Sequence, residues 1–170
     1  MPGAARIGSL FVPTEINSVF YMETFSKAAE ARGLTLVTVG VSTSAEVPDA
    51  ALSLIGKGID AICQISDNLN NSAFSGIAQA ARKSRTPLFG FVSAHVLNNG
   101  AALALARDYG QSGRDAANMA VRIMMGESPQ NIPFALVSKT LLVINMDNAA
   151  AFDLNIPQEI LDKADIVIPE

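Results

Sequence analysis

The stretch Val12-Pro13-Thr14-Glu15-Ile16-Asn17-Ser18 decides how the rest of the chain is read. An apolar run over residues 6–12 ends in it, and Val19, Met22, Phe25 and Ala29 then recur at helical spacing until Gly33. The period therefore switches from buried strand to helix across a proline and four hydrogen-bonding side chains: Thr14, Glu15, Asn17 and Ser18. A strand that passes through a polar turn into a helix N-terminus is where open α/β sheets take ligands. Unsatisfied N–H groups and the helix dipole favour a carboxylate or phosphate there. The plainer alternative is that Asn17 or Ser18 simply caps the helix.

Outward from this unit the same alternation repeats. Residues 34–41 are rich in β-branched side chains and read as a second strand, followed by the polar turn Ser42-Thr43-Ser44. A short helix over 47–54 tolerates Pro48 because it lies in the first turn. Residues 59–65 are almost wholly apolar, as expected of a strand covered on both faces. Ser66-Asp67-Asn68 ends that strand, and a helix is expected over 72–83. A fourth strand spans 87–92 and ends in Ser93-Ala94-His95. Asn98-Asn99-Gly100 signals a turn, residues 101–106 form a fifth strand, and Asp108-Tyr109-Gly110 leads into a helix over 111–125. Ala116, Met119, Ala120, Ile123 and Met124 give that helix one apolar face. An extended connection through Pro129 and Pro133, a sixth strand over 140–144 and short helices over 147–152 and 158–163 follow. The apolar ending Ile166-Val167-Ile168 is expected to pack on something. Five strand–helix beats predict an α/β fold: a doubly wound parallel sheet in a three-layer αβα arrangement, strand order 2-1-3-4-5 with an extra edge strand.

With 170 residues and no linker or repeat, the chain is one α/β lobe. It is 49% hydrophobic, with mean hydropathy +0.30. That composition implies a well-filled core and a surface meant to be covered. Net charge is −4 and the basic residues are scattered, which argues against nucleic acid and anionic membranes as partners. Cys63 is the single cysteine and sits in an apolar run, so it reads as a buried, inert thiol. With one cysteine and one histidine, His95, there is no multi-histidine metal site and no plausible Cys–His couple. No cofactor, metal or catalytic residue is assigned. Met1-Pro2-Gly3-Ala4-Ala5 lacks the pattern of a secretory signal, so as written the chain is expected in the cytoplasm unless it is a piece of something longer.

In a doubly wound sheet the strands' carboxyl ends share one edge. The polar groups expected there are Thr14, Glu15, Asn17 and Ser18 after strand one, Ser42-Thr43-Ser44 after strand two and Ser66-Asp67-Asn68 after strand three. Ser93 follows strand four, and Asp108-Tyr109 follow strand five. The set is acidic, amide and hydroxyl, with no positive charge before Arg114. It suits a ligand whose ammonium is held by Glu15, Asp67 or Asp108 and whose carboxylate meets the helix start at Asn17-Ser18. Tyr109 would offer apolar contact. Each residue also has a structural reading, since Asp and Asn are turn formers and Asp108 can cap the next helix. The receiver-domain acid pocket is excluded: it needs paired acids after strand one and a lysine after strand five. No glycine-rich phosphate loop occurs.

The ordered series of motifs resembles a known family. Thr14-Glu15-Ile16-Asn17-Ser18 is similar to an S-x-E-x-N-S element, and Asp60-Ala61-Ile62 with Asp67-Asn68 to a D-A-I … D-N segment. Asn99-Gly100-Ala101-Ala102 and Asp108-Tyr109-Gly110 are similar to G-A-L … D-Y-x-x-G. Gly126-Glu127-Ser128-Pro129, Ile132-Pro133, Ile144-Asn145, Ala149-Ala150 and Ile156-Pro157 complete the series. On these residues the chain resembles the carboxyl-terminal lobe of ABC-transporter substrate-binding proteins of the tryptophan- and tyrosine-binding group. The resemblance implies two α/β lobes closing on a ligand, of which this sequence matches one. It implies non-catalytic binding of an amino-acid-like ligand, an ABC permease as partner, and an amino-terminal lobe covering the open edge; the apolar edge and the Ile166-Val167-Ile168 tail would otherwise suit a second copy of the chain. It places Glu15, Asn17, Ser18, Asp67, Asn68, Asp108 and Tyr109 in the ligand cleft, with the apolar side-chain pocket largely in the other lobe. The full-length family would be periplasmic or lipoprotein-anchored. Alternatives are the effector domain of a regulator, or a small α/β enzyme using Glu15 or Asp67 as a base.

Overall fold

The alternation becomes a single seven-stranded sheet in the computed structural model, which describes residues 1, 3–98 and 100–169. The strands are β1 (Arg6–Phe11), β2 (Thr35–Gly40), β3 (Ala61–Gln64), β4 (Leu88–Gly90), β5 (Leu103–Arg107), β6 (Thr140–Asn145) and β7 (Ile166–Ile168). The helices are α1 (Ile16–Glu30), α2 (Val47–Gly56), α3 (Asn68–Ser72), α4 (Phe74–Lys83), α5 (Ser93–Leu97), α6 (Tyr109–Met124), α7 (Met146–Ala151) and α8 (Gln158–Leu161). The strand order is β2-β1-β3-β4-β5-β6-β7. The first five strands are parallel, and β6 runs antiparallel to β5. The expected order and added edge strand are therefore present. The apolar C-terminal run is itself a strand, β7, paired parallel to β6.

Other boundaries shift for local reasons. The helix expected over 72–83 is two, because Asp67 caps a short α3 ahead of α4. Ser93-Ala94-His95 begins α5 rather than closing a strand. The turn expected at 98–100 includes Asn99, which lies outside the described residues.

Most of the core lies under α2, α4, α5 and α7, where Leu54, Phe74, Ile77, Leu88, Val96, Ala104 and Phe152 are buried together. Helix α2 comes so close to β1 that a Cβ at Gly8 would lie 2.5 Å from Ile59 Cδ1 and 3.0 Å from Leu54 Cδ2. On the opposite face α1 buries only Ser18 and Ala29, and α6 buries no residue. The apolar stripe that the sequence shows on α6 is uncovered. Val121, Ile123, Met124 and Met125 are exposed, as are Phe134 and Leu136 in the connection that follows. No helix is long and apolar enough to cross a membrane among the described residues.

A polar edge and an aromatic concavity

The crevice between β1 and β3 is filled by the chain's own polar side chains. Their ladder pairs only Ile7 with Ala61 and Gly8 with Ile62, after which side chains bridge the strands. Gln64 Oε1 accepts from the Leu10 N–H (3.0 Å), and its Nε2 donates to the Leu10 carbonyl (2.9 Å). At the other end of the strands Asp60 accepts from the Ala5 and Arg6 N–H groups, each at 2.8 Å. These backbone bonds, Arg6 foremost, hold its carboxyl below the usual carboxylate range.

Ser18 and Asp67 continue the buried network. The Ser18 hydroxyl accepts from the Val12 N–H and donates to Asp67 Oδ2, both at 2.8 Å. Asp67 also accepts from the Asn70 N–H (2.7 Å) and side-chain amide (2.8 Å). Ser18 is fully buried and Asp67 is 2% exposed, so neither presents a polar atom to solvent. Glu15 occupies the N-cap position of α1, but its side chain does not cap that helix. Its carboxylate instead accepts from the Asn68 N–H (3.1 Å), Asn68 Nδ2 (3.0 Å) and Leu69 N–H (3.3 Å), capping the neighbouring α3. Neither Asn17 nor Ser18 caps α1, so the plainer reading of the opening stretch does not describe it.

At the next strand end, Asp108 caps α6 by accepting from the Gln111 N–H (2.9 Å), with Arg114 at 3.9 Å. All three acids expected to hold an ammonium are thus hydrogen-bonded within the protein. Thr14 and Asn17 are exposed on the same edge, Asn68 is exposed, Ser93 opens α5 half-buried, and Tyr109 opens α6 with 68% of its surface free.

Beside this polar strip lies a concavity of about 360 Å³ that was not anticipated in this lobe. It is bounded by α1 and the ends of β3, β4 and β5, with Tyr21, Phe25, Phe91, Leu105, Arg107 and Tyr109 in its wall. It exists because α6 leaves the α1 face of the sheet bare. Ala104 and Ala106 point into the core, so Leu105 and Arg107 point to the open face. Phe25 and Phe91 meet edge to face at 5.3 Å, and the Arg107 guanidinium lies 5.8 Å from the Tyr21 ring centre. Arg107 corrects the expectation of an edge without positive charge. Ending strand five at residue 106 hid it, although the alternation Leu103, Leu105, Arg107 places it on the open face. Tyr21 lies one helical turn beyond Asn17, a spacing that marked the same face.

His95 is buried away from this site. Its ring stacks on Phe74 with centroids 3.8 Å apart, and Nε2 lies 2.9 Å from Asn71 Oδ1. Nδ1 has no hydrogen-bond partner among the described residues, and burial pushes the imidazole pKa down to about 4. Burial pushes the Cys63 thiol up to about 12, which keeps it protonated and unreactive. Among the described residues no group of three or more His, Cys, Asp or Glu could hold a metal ion.

Residues 1–168 match the family described as ABC transporter substrate binding protein. The chain belongs to that family. It is 30% identical over 153 residues to the tyrosine-binding protein of Clostridioides difficile, covering 90% of this chain and 44% of that one. A conserved domain protein of Vibrio cholerae superposes with a TM-score of 0.86 at 30% identity, over 98% of this chain and 56% of that chain. The Streptococcus pneumonia ABC domain crystallised with L-Trp gives 0.84 at 28% identity, over 99% and 58%. This member of the substrate-binding family therefore spans about half the length of the relatives it matches.

Proposed function

We propose that this chain is the carboxyl-terminal lobe of a solute-binding protein and forms one wall of a cleft for an amino-acid-like ligand with an aromatic side chain. The observation that carries this reading is the aromatic-lined concavity at the same sheet edge as Thr14, Asn17, Asn68, Ser93 and Tyr109. A volume of about 360 Å³ suits a small ring-bearing molecule. The relatives named for tyrosine and crystallised with L-Trp support the same ligand class.

Within this reading Asn17 and the start of α1 face the ligand. Ser18, Asp67 and Glu15 hold the loops that frame it. The lobe binds without catalysis, and the complete protein delivers its ligand to an ABC permease at the outer face of the membrane. Family membership favours this over a regulator's effector domain or an enzyme.

One wall provides only part of the contacts. Losing half of a micromolar binding energy of about −8 kcal/mol leaves a millimolar binder. Titration calorimetry with tryptophan, tyrosine and leucine is expected to give millimolar affinity for the aromatic amino acids and none for leucine. Micromolar binding by the monomer, or equal binding of leucine, would overturn the reading.

A further inference from the structure

We propose that this lobe recognises the negative end of its ligand, an aromatic carboxylate, with the ring in the α1–β5 concavity and the carboxylate on Arg107. The inference rests on the solute-binding reading and adds which charge this wall reads. Three observations carry it.

The first is the state of the acids. Glu15 accepts three hydrogen bonds, Asp67 accepts three and is buried, and Asp108 caps α6 beside Arg114. A ligand ammonium would have to compete with bonds that hold α3 and α6 in place.

The second is the state of Arg107. Its side chain makes no ion pair and no hydrogen bond among the described residues, and its one contact of note is the face of Tyr21. A guanidinium beside an apolar wall is poorly hydrated on that side and presents a planar fork matched to a carboxylate.

The third is the wall itself. Tyr21, Phe25, Phe91 and Tyr109 supply ring faces and edges for an aromatic group.

The test uses the whole 170-residue chain and three probes: L-tryptophan, indole-3-propionate, which keeps the carboxylate and lacks the amine, and tryptamine, which does the reverse. The protein has no tryptophan, so indole emission reports the probe alone. L-Tryptophan and indole-3-propionate are expected to bind in the millimolar range with blue-shifted emission, and tryptamine at least about tenfold more weakly. Arg107→Gln is expected to weaken both carboxylates by about tenfold. Arg107→Lys should recover part of the loss, since it keeps the charge and loses the fork. Circular dichroism should be unchanged, because Arg107 holds no structural bond.

Tryptophan binding that is untouched by Arg107→Gln, or tryptamine binding as well as indole-3-propionate, would overturn this inference and leave the solute-binding reading standing. No binding of any probe at millimolar concentration would overturn both.

Discussion

At the scale of single residues, the polar groups of the sheet edge divide by burial. Ser18 lies inside, and its hydroxyl accepts from the Val12 N–H and donates to Asp67. Ser18→Ala would strand a buried donor and remove one support of a buried carboxylate. It is expected to cost about 1–3 kcal/mol in urea denaturation, whereas exposed Asn17→Ala should stay within about 0.5 kcal/mol. His95 gives a second prediction. Its ring is held neutral to about pH 4 by burial, while an unfolded histidine takes its proton near pH 6.5. The unfolded state therefore binds more protons between those values, so His95 destabilises the fold as pH falls through that window, by on the order of 3 kcal/mol. Above the window its contribution does not change with pH. Urea midpoints measured from about pH 7 down to about pH 4 should fall steeply, and His95→Phe should flatten that part of the fall while keeping the stack on Phe74. The sequence indicated which polar residues reach the edge. It could not indicate which way they turn, because Ser18 and Asn17 are equally plausible caps until packing buries one of them.

At the scale of elements, periodicity carried most of the topology and failed where coverage was the question. The switch from period two to period 3.6 at Val12–Ser18 is a local property of the chain, and it placed β1 and α1 correctly. The five residues of α5 are too few for a period to show, so in the sequence they look like the end of a strand. Helix α6 is the instructive case. Its apolar stripe is plain in the sequence, yet a stripe says only that one face seeks cover and not that this lobe provides it. The open α1 face, and with it the aromatic concavity, follows from that one helix and was not legible beforehand. The consequence can be measured. Ile123→Glu and Met124→Glu should change the stability of this chain by no more than about 0.5 kcal/mol. Ile62→Ala, at a fully buried position of β3, should cost about 2–5 kcal/mol. Urea denaturation of the three variants compares them directly.

At the scale of the whole molecule, the exposed stripe and the bare sheet face predict association. Met124 and Met125 are more than four-fifths exposed and Leu136 is 85% exposed, with Val121, Ile123 and Phe134 also open to solvent. Single exposed apolar side chains are ordinary, but a run of them along one helix and its following arm makes a patch that water solvates poorly. Relatives of about twice this length have further chain with which to cover such a patch. The 170-residue chain in isolation has only its own copies. Sedimentation equilibrium should therefore show reversible self-association that strengthens with concentration and with sulfate, which favours apolar burial. It should persist in sodium chloride, because the patch carries few charges. The Glu substitutions at Ile123 and Met124, expected to be neutral for folding, should abolish it, since each would place a charge in the contact. Their separation of stability from association is what distinguishes an uncovered docking face from partial unfolding. A monomer at every concentration, or association indifferent to both substitutions, would show that the stripe needs no partner.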